Sequence, residues 1–185
     1  EDMDRIRAAV GDAKINYLGY SYGTSLGSVY ATLFPKNIRV AVLDGAVDPV
    51  ADPLTTFSNQ LKAFEAAFDQ FAADCLTRSG CKALGNPRQV VYSLVAKANA
   101  SPIPSSAPGE TRRATSAIVL TGVLSALYDE SSWSELGQAL LDAQGGDAKG
   151  LFALADQYNE RDDNGHYTNI QEANTAISCN DQAPG

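Results

Sequence analysis

The sequence predicts an α/β fold: a piece of parallel sheet followed by a mostly helical region. Three observations carry that reading. Residues 1–48 give an apolar strand, helix and strand in series, a Gly-Tyr-Ser-Tyr-Gly turn joins the first strand to that helix, and from about residue 53 the apolar spacing becomes helical. Met3, Ile6 and Val10 share one face of a first helix, with Asp2 or Asp4 as its cap and Gly11 to close it. Lys14 to Leu18 reads as a strand ending at Gly19, and Thr24 to Phe34 as a helix stopped by Pro35. Ile38 to Leu43 reads as a second, largely buried strand ending at Asp44-Gly45. Strand, helix and strand in that order make the βαβ unit of a parallel sheet.

Phe57, Leu61, Phe64, Phe68 and Phe71 recur at steps of four and three along a helix running to about Asp74, a stripe expected to pack into a core. Asn86-Pro87 starts a helix over Arg88 to Ala100, and Ser101 to Gly109 is a Pro/Ser-rich loop. Further helices are expected over 115–128, 133–144 and 147–159. Asn169 with Glu172 resembles a capping box opening a last short helix through Ala176.

The 185 residues are 44% hydrophobic and 19% charged, a globular composition with enough apolar side chains for a core. Fourteen Lys and Arg against 22 Asp and Glu leave a net charge of −8, and no basic cluster offsets it, which argues against a nucleic-acid partner. No stretch approaches the length of a membrane span, and the acidic start Glu1-Asp2-Met3-Asp4 is unlike a signal peptide. Cys75 and Cys81, six apart in a polar, Gly-containing stretch, suit a small disulfide loop, with two free thiols as the alternative. A disulfide would imply an oxidising compartment. Cys179 is then the odd cysteine: a free thiol, an intermolecular bond, or half of a pair whose partner lies outside these residues. The paired Cys-x-x-Cys units of a zinc site are missing, and no metal or cofactor is expected.

The residues that carry chemistry are Gly19-Tyr20-Ser21-Tyr22-Gly23, a G-x-S-x-G pattern entered by a strand and left by a helix. That context puts Ser21 on a sharp, strained turn, and close packing of strand on helix asks for glycine at both flanks, Gly19 and Gly23. It also puts Ser21 at a helix N-terminus, where negative charge is favoured and the Tyr22 N–H supplies half of an oxyanion hole. The alternative is a coincidental Gly/Ser turn. The small residues Ser25, Gly27, Ser28 and Ala31 favour close packing of that helix on a sheet. A serine nucleophile needs a base, usually histidine, oriented by a carboxylate. His166 is the single histidine, and Asp162-Asp-Asn-Gly-His166-Tyr167 reads as an exposed turn rather than a catalytic site, although the order Ser21, Asp44 or Asp48, His166 is that of nucleophile, acid and base.

Lys14 to Thr24 followed by Leu43-Asp-Gly-Ala-Val-Asp-Pro49 resembles the secreted tripeptidyl aminopeptidases of the proline iminopeptidase-like branch of the α/β-hydrolases. Cys75 and Cys81, Ala126-Leu-Tyr128 ahead of Trp133, Ala139-Leu-Leu141 before Gly146-Asp147, and Ala176-Ile-Ser-Cys179 with Asp181 are similar to landmarks of that family's helical cap and the segment after it. The resemblance implies a partial hydrolase core with its nucleophile elbow over 1–52, a helical cap over 53–176, and a return toward the core over 177–185. It carries over Ser21 and Tyr22, while the family's catalytic Asp and His have no matching position in these residues. Two parallel strands cannot cover their own faces and edges, so further polypeptide is expected to complete the sheet.

The elbow leads to the expectation of a serine peptidase, and the resemblance implies an exopeptidase releasing short peptides from free N-termini, secreted or in the cell envelope. Glu160, Asp162 and Asp163 are candidates to meet a substrate ammonium, with solvated turn carboxylates as the alternative reading. The rival functions are an esterase or lipase built on the same elbow, and a binding module with a vestigial elbow.

Overall fold

The structure, a computed structural model, describes residues 1–78 and 80–181. Two compact units divide it, Glu1–Gln60 and Leu61 onward. The boundary falls inside a long helix, a few residues past the change in sequence character at 53.

In the first unit, α1 (Asp2–Ala9) leads to β1 (Ile15–Tyr20), α2 (Tyr22–Leu33), a 3-10 turn (Pro35–Asn37) and β2 (Ile38–Asp44). β1 and β2 pair in parallel from Ile15 opposite Ile38 to Tyr20 opposite Asp44, with a register irregularity between Ile15 and Asn16. This is the expected βαβ unit. Both inner boundaries shift toward each other: β1 runs on to Tyr20 and α2 already begins at Tyr22, which leaves Ser21 alone as the turn.

The capping expected for α1 is not observed. Glu1 occupies the cap position without a side-chain bond, while Asp2 and Asp4 lie in the first turn, where their charge suits the helix dipole. Asp4 serves a tertiary role instead, accepting from Arg7 Nε (2.7 Å), Tyr30 Oη (3.0 Å) and Asn37 Nδ2 (2.7 Å). The Arg7 bond first, with help from Asn37 and Tyr30, holds its carboxyl down to about 2. Gly11, at φ 80°, follows α1 as expected.

Burial in this unit is sparse. Gly19, Thr24, Gly27 and Tyr30 are its only buried residues, and Ile6 and Val10 of the α1 face are 63% and 68% exposed. β2, expected to be largely buried, shows its Val40 and Val42 side chains to solvent, because no third strand or second helix layer lies over it among the described residues. The contact that does form is intimate. A Cβ on Gly27 would overlap Tyr17 Cε1 and stand 3.0 Å from Leu43 Cδ2, so this position of α2 has room only for hydrogen.

The second unit is helical: α3 (Pro53–Cys75), α4 (Pro87–Ala100), α5 (Ser116–Leu127), α6 (Trp133–Gln144), α7 (Lys149–Tyr158) and α8 (Ile170–Asp181), with 3-10 turns at Lys82–Leu84 and Glu130–Ser132. Asn86 caps α4 by accepting from the Gln89 N–H (3.1 Å), with Pro87 at the first helical position. α5 packs on α4 and α7, and α6 on α7, around Leu136, Leu140, Leu151, Leu154 and Val119. Phe71 and Phe68 of α3 join this core, and Phe71 meets the edge of Trp133. The aromatic stripe of α3 is therefore core only in its C-terminal half; Phe57 and Leu61 are 58% and 47% exposed. Cys75 and Cys81 form the expected disulfide, buried against Gly137 of α6. Cys179 is a free, exposed thiol. α8 continues past Ala176 to Asp181, so the expected return segment begins as helix, and its residues 182–185 lie outside the described residues.

Arg112 ties the loops of this unit to α7. Its guanidinium donates to Asp156 Oδ1 (2.9 Å) and Oδ2 (2.5 Å), to Glu110 Oε1 (3.0 Å) and to Tyr167 Oη (3.1 Å), and lies 4.5 Å over the Phe152 ring. The Pro/Ser-rich loop is further fixed by Asp147, which accepts from the Ser106 N–H (2.9 Å) and hydroxyl (2.5 Å).

Two measurements test these packing arguments. Gly27→Ala should destabilise the first unit by about 1–3 kcal/mol through overpacking against Tyr17 and Leu43, read as a lower denaturation midpoint at unchanged m-value. The Arg112 bond, its largest cause, holds the Glu110 carboxyl at about 2, below its ordinary 4.5. A folded value below the unfolded one means stability that is complete above pH 4.5 and lost as pH falls toward 2. The melting-temperature gap between wild type and Glu110→Gln should hold constant above pH 4.5 and close below it.

Candidate active site

Ser21 follows the last residue of β1 and precedes the first of α2, and its backbone sits at φ 49°, ψ −118°. A non-glycine residue rarely adopts this conformation, and it persists only where neighbours over-determine it. Hydrogen bonds hold both sides of the turn. The Ser21 N–H donates to the Asp44 carbonyl at the end of β2 (3.0 Å). The Ser21 carbonyl accepts from the Thr24 N–H (2.9 Å) and the Thr24 hydroxyl (2.6 Å). That hydroxyl in turn accepts from the Val47 N–H (2.9 Å), and Thr24 is fully buried. Tyr17 Oη donates to the Gly23 carbonyl (2.5 Å) and closes the turn from below.

The two flanking glycines are not equivalent, contrary to the sequence expectation. A Cβ on Gly19 would lie 2.6 Å from the Gly23 carbonyl oxygen and 2.7 Å from Tyr17 Cε1, which excludes any side chain. A Cβ on Gly23 would meet only Tyr17 Oη, at an ordinary 3.6 Å. Steric closeness thus explains Gly19 and Gly27, and leaves Gly23 unexplained within this chain. Ser21 itself is exposed, and Tyr22 occupies the first helical position, at the positive end of the α2 dipole. An anion forming beside Ser21 would meet that end of the helix.

The other sequence candidates lie in the second unit. Asp162 accepts from the Asn164 N–H (2.9 Å) and His166 N–H (2.8 Å), and the His166 bond first holds its carboxyl below the usual range. His166 sits in this exposed turn, with Nδ1 3.5 Å from Asp162 Oδ2, as the sequence suggested. Glu160 accepts from the Thr168 hydroxyl (2.5 Å) and adopts φ 51°, a strained backbone that nothing in the sequence signalled. Asp162 and Asp163 line a cavity of about 580 Å³ with Glu110, Asp156, Lys149 and Arg161. An apolar groove of about 310 Å³ lies between Leu61, Phe64, Phe68, Leu120 and Leu124. Among the described residues no group of three or more His, Cys, Asp and Glu is placed to hold a metal ion, and no helix is long and apolar enough to cross a membrane.

Thr24 and Arg112 escaped the sequence reading. A threonine directly after the G-x-S-x-G pattern is a signal in principle, since a hydroxyl there can back-bond to the turn. Arg112 has no local signature, because its partner Asp156 is 44 residues away.

A family model described as the alpha/beta hydrolase fold matches residues 1–180. The chain is 42% identical over 191 residues to the serine protease Hip1 of Mycobacterium tuberculosis, covering 100% of this chain and 37% of that protein. It is 42% identical over 184 residues to carboxylesterase B of the same species, covering 97% of this chain and 35% of that one. To the tripeptidyl aminopeptidase of Streptomyces lividans it is 32% identical over 183 residues, covering 97% and 34%. The chain thus spans about a third of the length of the curated relatives it matches. A strand–serine–helix turn seated on a parallel pair of strands, and a family match over nearly every residue, lead to one conclusion: this chain belongs to the alpha/beta hydrolase fold family.

Proposed function

We propose that this chain is the nucleophile-bearing portion of a secreted or envelope serine peptidase. The single observation that carries the proposal is the exposed Ser21, held at φ 49° between β1 and the N-terminus of α2. In this reading Ser21 Oγ attacks the scissile carbonyl and the Tyr22 N–H helps to hold the oxyanion. A histidine, oriented by a carboxylate, takes the serine proton and returns it to the leaving amine. Water then hydrolyses the acyl-enzyme. The acid and base are assigned to polypeptide outside this chain, because His166 stands on an exposed turn with Asp162 as its neighbour.

The helical unit serves as the cap in this proposal, and further polypeptide covers the exposed faces of β1 and β2. The relatives' names support peptidase chemistry, and the name tripeptidyl aminopeptidase supports release of short N-terminal peptides. The Cys75–Cys81 disulfide supports an oxidising, extracytoplasmic compartment. A second reading has its own observation: a relative of equal identity is named carboxylesterase B, and an esterase would use the same elbow.

Two experiments on the full-length protein test the proposal. A fluorophosphonate probe should label it at Ser21, and Ser21→Ala should abolish labelling and lower peptidase activity by on the order of a thousandfold or more. Faster turnover of acyl esters than of free-amine peptides would favour the esterase. Glu160→Gln, Asp162→Asn and Asp163→Asn probe the cap. If one of them meets the substrate ammonium, its KM for free-amine peptides should rise on the order of tenfold or more, with little change for acetylated ones. Unchanged KM in all three would leave these carboxylates as turn residues.

A further inference from the structure

We infer that Thr24 is a positioning residue for the Ser21 nucleophile, acting through its hydroxyl. The inference rests on Ser21 being the nucleophile, and deepens that reading.

Thr24 is the one buried polar side chain among the described residues, at 0% exposure, and its hydroxyl has two bonds of opposite sense. It donates to the Ser21 carbonyl (2.6 Å) and accepts from the Val47 N–H (2.9 Å). A hydroxyl has one proton, and here that proton is committed to Ser21 because the Val47 N–H can only donate. The orientation is therefore settled by the backbone on the far side. Serine or threonine near a helix start usually bonds its own turn and stops there. Here the same atom also anchors the segment after β2, which otherwise has the flexible Gly45, at φ 66°, at its root.

The effect falls on ψ of Ser21. Rotation about that bond swings the Ser21 carbonyl, and two donors from Thr24, the N–H at 2.9 Å and the hydroxyl, hold the carbonyl in place. φ is fixed separately, by the Ser21 N–H bond to Asp44. The Thr24 N–H bond comes with helix formation and would survive any substitution that keeps α2. The hydroxyl bond is thus the separable part. Without it the half-buried Val47 N–H also loses its acceptor, so the segment after β2 has reason to shift. Since the Ser21 side chain leaves from the atom between φ and ψ, loosening ψ spreads the directions of Oγ without removing the nucleophile. Misplacement on the scale of an ångström costs about a hundredfold in rate when the reacting atoms must be aligned.

The test compares Thr24→Val, which keeps the shape and removes the hydroxyl, with Thr24→Ser, which keeps the hydroxyl and removes a methyl, in the full-length protein. Expected for Thr24→Val is a ten- to hundredfold fall in kcat and in the fluorophosphonate labelling rate, with KM and the pH profile unchanged. Thr24→Ser should recover both rates to within about threefold, even if its melting temperature is lowered by the lost methyl. Thr24→Cys, with a weak donor of similar size, replaces the valine variant if the latter fails to fold, and should fall between the two. Wild-type rates in the valine or cysteine variant overturn the inference, and so does a serine variant as slow as valine, since packing of the methyl would then be what matters. Ser21→Ala is the separate control: label that persists in it removes the nucleophile reading itself, whatever Thr24 does.

Discussion

The closeness with which α2 lies on β1 governs the first unit. Tyr17 projects from β1 under the helix, its ring fills the space that side chains at Gly19 and Gly27 would need, and its hydroxyl reaches the Gly23 carbonyl. A strand can turn back into a helix this tightly only if one residue absorbs the whole change of direction. Ser21 is that residue, and its left-handed φ is the geometric result of the contact rather than a separate property of the serine. The hydrogen bonds at either side of it then hold a conformation that an isolated peptide would abandon.

The two units are stabilised in different ways. The helical unit has a continuous apolar core from Phe68 to Leu154, a disulfide, and an arginine that gathers two acidic side chains and a tyrosine. The sheet unit buries almost nothing. Its cohesion comes from backbone pairing of the two strands, the Tyr17 contact and the Asp4 cluster, so its apolar strand faces remain available to whatever covers them. Strands with both faces apolar are typical of parallel sheets covered on both sides.

Much of this was legible in the sequence. The βαβ order, the sharp turn at Ser21, the disulfide and the helix positions after residue 86 all follow from local signals, since periodicity, capping and turn residues act over a few positions. What was missed depends on contacts between distant residues. The cap of α1 was misjudged because Asp4 had better partners in Tyr30 and Asn37, 26 and 33 residues on. The Phe57 to Phe71 stripe reads uniformly in sequence, yet only the part that reaches Trp133 is covered. Gly19 and Gly23 look alike in the motif, and only the position of Tyr17 tells them apart.

The bond from the Ser21 N–H to the Asp44 carbonyl continues the parallel ladder one step beyond its last pair, Tyr20 with Asp44. The elbow is in that sense the final rung of the sheet. A slip of β2 by a single residue would offer it a carbonyl pointing the opposite way, since successive carbonyls alternate along a strand. The direction of Ser21 therefore depends on the phase in which β2 arrives beside β1. Strand register, a property usually discussed in terms of stability, here sets the aim of a side chain.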